Sequence, residues 1–189
     1  MNLAKKLKAP AGNSPVNNMN PYVQLAKEAV ENYIGERKVI EPSKSLPKEF
    51  FERKAGVFVT IEKEGRLRGC IGTYLPIRDN IAEEIIHNAI AAATEDDRFG
   101  AVKKTELPHL SYSVYILNKP EKVLDLAELD PKKFGIIVKA GGKSGLLLPD
   151  LEGVDTVAEQ IAICCQKGGI ILKQENAEIY KFTVEKHEE

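Results

Sequence analysis

The 189-residue sequence is poor in the side chains that form metal sites and disulfide frameworks. It has three cysteines and three histidines, and no two cysteines are spaced as a CxxC pair. This set predicts free thiols in a reducing compartment rather than disulfides or a structural zinc site. We therefore expect no metal ion, and the sequence identifies no cofactor.

Long apolar runs and an excess of one charge are also absent. No apolar run approaches the ~18 residues that a membrane span needs, and the lysine-containing N-terminus lacks the apolar core of a secretory signal. With 27 basic and 28 acidic residues, the net charge of -1 counts against a nucleic-acid-binding role. We expect a cytoplasmic protein without membrane contact. Its residues 1–20 are predicted to form a mobile or loosely docked arm, and residues 21–189 a single domain with room for two subdomains.

The segment from Val57 to Tyr74 alternates apolar and polar residues on both sides of a turn that contains Gly65. This pattern predicts a β-hairpin. Successive side chains of a strand point to opposite faces. The return strand is therefore predicted to carry Leu67, Gly69, Ile71 and Thr73 on the core face. The opposite face is predicted to carry Arg66, Arg68, Cys70 and Gly72.

Cys70 is the candidate reactive residue of this strand. Arg68 is predicted on the same face within ~7 Å of the sulfur, where its charge would favour the thiolate. Gly69 and Gly72 remove side chains nearby, as glycines do where a ligand or another backbone approaches closely. The alternative is that Cys70 is a small buried hydrophobe and the glycines make room for a second layer, because free cysteine is among the most buried residue types.

The rest of the chain predicts further helices and strands. Helical periodicity predicts helices from Pro21 to Gly35, from about Ile77 to Thr94, and after Thr156. Strands are predicted over Leu110–Leu117, in a second hairpin within residues 134–150, and as one final strand within residues 177–186.

Two clusters of chemically active side chains lie on the predicted helices. Cys164 and Cys165 fall on the apolar face of the last helix, which predicts core residues rather than ligands or a redox pair. The carboxylates of "TEDDRF" end the central helix, where they oppose the helix dipole. We expect them either to pair with a cation, Arg98 or Arg68, or to be solvated.

Several ordered blocks of the sequence resemble the AMMECR-one domain family. The hallmark LRGCIG stands unsubstituted as Leu67–Gly72, and the D-x-R-F position is filled by Asp96, Arg98 and Phe99. The resemblance continues through residues 106–121 and through the block that begins at residue 135, so that it covers most of the chain from about Pro21 onward.

The resemblance implies a fold, a site and partners. The implied fold is α+β, with a mostly antiparallel sheet flanked by helices, larger and smaller subdomains, and a cleft near the LRGCIG strand. Prokaryotic relatives are similar to one component of a system that also has a Memo-like protein and a radical SAM protein, so these are implied partners. The candidate catalytic residues are Cys70 and Arg68. The candidate ligand-binding or supporting residues are Gly69, Gly72, Thr73, Asp96 and Arg98.

Three hypotheses for the function place it at the surface around Arg68 and Cys70. In an enzyme, Cys70 is the nucleophile, Arg68 lowers its pKa and Asp96 orients Arg68, but neither His87 nor His109 is placed as a general base by its spacing. In a binding module, Arg68 grips the carboxylate or phosphate of a small anionic ligand, or the groove takes a partner protein. A nucleic-acid role is the third. The substrate and the oligomeric state stay open.

Overall fold

A computed structural model describes residues 19–172 and 176–188, which form four helices and eight strands. The predicted arm, residues 1–20, lies almost entirely outside the described residues. The helices are α1 (Pro21–Glu36), α2 (Glu49–Glu52), α3 (Ile81–Thr94) and α4 (Val157–Gly168). The strands are β1 (Val57–Lys63), β2 (Arg66–Gly72), β3 (Leu110–Leu117), β4 (Glu121–Lys122), β5 (Gly135–Ala140), β6 (Lys143–Leu147), β7 (Glu178–Phe182) and β8 (Val184–Glu188). Short 3₁₀ turns cover Lys104–His109 and Leu126–Glu128.

The larger subdomain is an antiparallel sheet, sheet A, of order β2-β1-β3-β8, with α1 and α3 against one face. The predicted alternation of β1 is confirmed, because Val57, Val59 and Ile61 are fully buried in the core beneath these helices. Burial of such apolar side chains is the main favourable term in folding. The predicted strand Leu110–Leu117 is confirmed as β3.

The smaller subdomain is a second antiparallel sheet, sheet B, of order β4-β7-β5-β6, with α4 against it. Cys164 is fully buried and Cys165 nearly so, in the core between α4 and this sheet. The prediction that both are core residues is confirmed. All three cysteines of the chain are free thiols.

The last part of the chain joins the two sheets. The single final strand predicted from the sequence is wrong, because the chain leaves sheet B after Phe182 and enters sheet A at Val184. The two sheets then pack through an apolar cluster in which Ile137 and Phe182 meet Phe58 and Tyr115. The layers therefore run from α1 and α3 through sheet A and sheet B to α4, which confirms the expected α+β class.

Two helix ends differ from the prediction. Helix α1 continues through Gly35 to Glu36 and ends where Arg37 adopts a left-handed conformation, with φ of 59°. Helix α3 begins only at Ile81, because the Asn80 side chain accepts a hydrogen bond from the Glu83 N–H and so caps the helix there. None of the helices in residues 19–172 and 176–188 combines the length and apolar composition that a membrane crossing requires.

Candidate functional site

A β-bulge in β2 changes which side chains share a face. Leu67 pairs with Glu62 while Gly69 pairs with Ile61, so Arg68 is an extra residue without a partner on β1. The predicted alternation is therefore wrong on the N-terminal side of the bulge. Leu67 is not a core residue, since 42% of it is exposed. Ile71 does pack against the core, as predicted.

Arg68 is bound to Glu106 of the first 3₁₀ turn and does not contact the thiol. Its Nε and Nη2 atoms donate to the two Glu106 carboxylate oxygens at 3.1 and 3.0 Å, and Nη1 donates to the Gly100 carbonyl at 2.9 Å. Only 16% and 14% of the two side chains are exposed. Hydrogen bonds from Arg68, with further ones from the Lys103 N–H and Lys63, lower the pKa of Glu106 to about 2. The guanidinium hydrogen bonds of Arg68 therefore go to Glu106 and Gly100, and the Cys70 sulfur receives none of them.

Cys70 lies on the face of sheet A that turns away from α3. It pairs with Thr60, whose hydroxyl donates a hydrogen bond to the sulfur at 3.3 Å. Burial raises the pKa of this partly exposed thiol above its ordinary value. The Thr60 hydrogen bond and the charges of Arg98 and Lys167 act in the opposite direction but are smaller. This direction favours the protonated thiol, contrary to the lowered pKa that the sequence predicts.

Asp96 and Arg98 form the ion pair that the resemblance brings together. Arg98 Nε and Nη2 donate to the Asp96 carboxylate at 2.9 and 2.7 Å, and the Cys70 backbone N–H donates to the same carboxylate at 2.8 Å. The Arg98 bonds are the main reason that the pKa of Asp96 falls to about 2. Asp96 therefore orients Arg98, not Arg68 as the enzyme hypothesis has it. Arg98 remains accessible, with 58% of its side chain exposed.

The two glycines of the strand allow backbone to pass close by. A Cβ at position 69 would lie 2.1 Å from the carbonyl oxygen of Ala92 on α3, and one at position 72 would lie 2.4 Å from the carbonyl oxygen of Val57. Gly69 thus accommodates α3, which is the second layer, and Gly72 accommodates its neighbour β1 in the same sheet, so neither position leaves an opening for a ligand. This geometry favours the packing interpretation of Gly69 and Gly72.

Thr73 belongs to the loop that leads into α3. Its hydroxyl donates to Glu84 at 2.6 Å, and Glu84 also accepts from the backbone N–H groups of Ile77 and Arg78 at 3.0 and 2.8 Å. Glu84 is almost fully buried. The carboxylate satisfies these donors and fixes the loop that separates β2 from α3, so the role of Thr73 here is in local structure.

Three side chains near the thiol come from parts of the chain that the sequence did not connect with it. Thr60 is directly opposite on β1, and Tyr115 of β3 lies on the same face of the sheet. Lys167, in the last turn of α4, acts on the thiol through its charge. Burial, reinforced by the Cys70 side chain, raises the pKa of Tyr115. Pairing across the hairpin is the signal for Thr60; no local signal identifies Lys167.

Two histidines lie away from the thiol. His187 on β8 stacks on Tyr22 of α1, with ring centroids 4.2 Å apart, on the helix side of sheet A. His87 lines a cavity with Val39 and Ile86. Within residues 19–172 and 176–188, no group of three His, Cys, Asp or Glu side chains is arranged to hold a metal ion.

Comparison with known proteins gives consistent matches over this region. The AMMECR1 family model matches residues 23–187. A Thermotoga maritima protein is 55% identical over 169 residues, which cover 89% of this chain and 97% of the relative. A Clostridium acetobutylicum protein is 48% identical over 90% of this chain, which spans only 36% of that longer relative.

The fold also matches a solved structure. The crystal structure of a Pyrococcus horikoshii protein, described as uncharacterised, aligns with a TM-score of 0.80 at 37% identity, over 87% of this chain and 88% of that one. The family match spans the LRGCIG strand, the Asp96–Arg98 pair and both sheets. The chain belongs to the AMMECR1 family.

Proposed function

We propose that the protein is a binding module rather than a cysteine enzyme, and that it takes an anionic group of a small molecule over Cys70. The supporting observation is that Asp96 accepts hydrogen bonds from both the Cys70 N–H and the Arg98 guanidinium, so that an arginine with 58% of its side chain exposed is held beside the thiol. The charge of Lys167, on α4, also acts on this thiol. A few convergent polar groups are what orients a small ligand in a binding site. The location that we propose is the cytoplasm, since all three thiols are free.

The protonation of Cys70 favours binding over catalysis. Nucleophilic attack requires the thiolate, and burial raises the thiol pKa in this site. Arg68, the cation expected to activate the sulfur, donates to Glu106 instead. A neutral sulfur next to the Thr60 hydroxyl is a weak polar contact surface. Cys70 therefore serves as a contact residue for a ligand whose charge is met by Arg98 and Lys167.

The length of the clostridial relative supports a module that works with other components. In that protein, the part similar to this chain makes up 36% of the sequence, whereas in the Thermotoga protein it makes up 97%. A unit found both alone and within a longer chain is typical of a domain that works beside others. A Memo-like or radical SAM partner would fit this arrangement.

Anion titration by calorimetry on the full-length protein tests the proposal, with phosphate and citrate as probes at constant ionic strength. We expect Lys167→Gln to weaken binding about fivefold to tenfold, since a charge-assisted contact contributes about 1 to 1.5 kcal/mol. Lys44→Gln, which removes the same charge from an exposed loop, is the matched control.

The Cys70→Ser variant distinguishes an anion-binding module from a cysteine enzyme. A contact role predicts that this variant keeps the wild-type affinity for the anions within about twofold, because the hydroxyl is also a neutral polar group. Equal anion affinity in Lys167→Gln and wild type would refute the binding site. Loss of all binding in Cys70→Ser would show that the sulfur itself is required and would favour the enzyme.

A further inference from the structure

An apolar groove lies on the smaller subdomain, away from Cys70. It has a volume of about 630 Å³ and is formed by the second 3₁₀ turn, the outer face of α4 and Leu172. The lining side chains are Leu126, Ala127, Val157, Ala158, Ile161, Ala162 and Leu172. The proposed anion site and this groove share no residue.

Large apolar side chains in and beside the groove are exposed to water. The exposed fractions are 52% for Leu126, 46% for Leu172 and 88% for Leu124, two residues before Leu126. Single exposed leucines are ordinary, but a contiguous apolar surface on a domain marks an interaction site. Leu126 lies on a 3₁₀ turn of only three residues, and no core requirement explains its position there.

Acidic side chains are next in sequence to lining residues on two of the elements that form the groove. Asp125 and Glu128 belong to the 3₁₀ turn that carries Leu126, and Asp155 and Glu159 stand at the start of α4; all four are exposed. Lys181 pairs with Glu128 and Lys132 with Asp155. Asp125 instead accepts a hydrogen bond from the Ala127 N–H, and Glu159 accepts from the N–H and the hydroxyl of Thr156, so these bonds are to uncharged groups.

We propose that this groove docks an amphipathic α-helix of a partner protein, with apolar side chains on one face and lysine or arginine on both flanks. Helices bind such grooves through anchors at i, i+3 or i+4, and i+7, and flanking charges set orientation and specificity. The carboxylates of Asp125 and Glu159, which bond to uncharged groups, complement the charge of a basic helix and so select this occupant over a neutral or acidic one.

The test uses the full-length protein and a fluorescent synthetic peptide of about 18 residues, built from leucine and lysine in an amphipathic helical pattern. A peptide with glutamate in place of every lysine is the charge control. We expect the lysine peptide to bind at least about tenfold more tightly than the glutamate peptide, and high salt to reduce this difference.

Variants of the protein localise the binding. Leu126→Ser and Ala158→Lys alter the groove at exposed positions and are expected to weaken lysine-peptide binding at least about tenfold. Ile77→Ser changes a side chain that is 69% exposed outside the groove, and we expect binding within about twofold of wild type. Because two groove variants are used, misfolding of one does not remove the test.

Other results would overturn the proposal. Equal peptide affinity in wild type and both groove variants would place the binding elsewhere. Concentration-dependent dimerisation that Leu126→Ser abolishes would identify a second copy as the occupant. The chain's own first residues include leucines and lysines, "NLAKKLKA". Tighter peptide binding in Leu3→Ser/Leu7→Ser would identify that segment as the occupant.

Discussion

Replacing Arg68 with methionine tests whether this arginine stabilises the fold or activates the thiol. Arg68→Met retains most of the apolar stem but removes the guanidinium, so Glu106 loses both of its bonds from Arg68. Glu106 keeps the Lys63 ammonium at 3.2 Å and the Lys103 N–H at 2.9 Å. A poorly solvated carboxylate that loses its main partner destabilises the folded state.

The size of the effect follows from the burial and the pKa of Glu106. A fall from 4.5 to about 2 corresponds to about 3 kcal/mol from all the groups that act on Glu106. Because the side chains of Arg68 and Glu106 remain 16% and 14% exposed, screening by water reduces the part of this free energy that their ion pair contributes. We expect Arg68→Met to lower the free energy of unfolding by about 2 kcal/mol.

Urea unfolding at neutral pH measures this loss, and the pH dependence of Cys70 alkylation in the same variant measures any effect on the thiol. Arg66→Met is the matched control, since Arg66 is exposed on the same strand and its loss is expected to cost less than about 0.5 kcal/mol. Unchanged stability of Arg68→Met together with a raised Cys70 alkylation midpoint would refute our assignment and restore Arg68 as the activating group.

Other substitutions and titrations test the remaining features. Gly69→Ala should cost about 2 to 3 kcal/mol in urea unfolding, because the new Cβ meets the Ala92 carbonyl, whereas Gly35→Ala, which has open space in α1, should stabilise by about 0.5 to 1 kcal/mol. Equal effects would contradict the close approach of α3. The alkylation midpoint of Cys70, followed by peptide mass spectrometry, should lie above the ~8.5 of a free thiol, and a lower midpoint would favour the nucleophile. The folded-state pKa of Glu106 is depressed, so its contribution to stability is complete above about pH 4.5 and is lost as the pH falls towards 2. Glu106→Gln should therefore flatten the acid limb of the stability curve, and an unchanged limb would show that other carboxylates determine it.

The sequence predicts where the helices and strands of this fold lie better than it predicts which of them pair or pack together. Alternation and periodicity suffice for β1 and the buried face of α4, since burial patterns along one element are local properties. The sequence predicts a single final strand because residues 177–186 contain no glycine, proline, asparagine or aspartate that would mark a break. Only the packing of two sheets makes the chain change sheet at Thr183.

The bulge at Arg68 explains the main error at the site. A two-residue turn at Glu64 and Gly65 pairs Leu67 with Glu62, off the buried face, while Ile71 has to face the core. The turn register and the inward orientation of Ile71 are compatible only if β2 has one extra residue between Leu67 and Ile71. The mismatch between the two therefore indicates a bulge from the sequence alone. The partnership of Arg68 with Glu106 spans 38 residues and has no comparable local signal.

The bond from the Cys70 N–H to Asp96 also matters for how this protein behaves in a crowded solution. β2 is the outermost strand of sheet A, and an outermost strand with free N–H groups is a template on which another molecule can add a strand. Here the loop that carries Asp96 and Arg98 occupies that position with a charged pair. A strand from another molecule would have to displace it, so the same bond that holds the loop near the thiol also protects this edge against polymerisation.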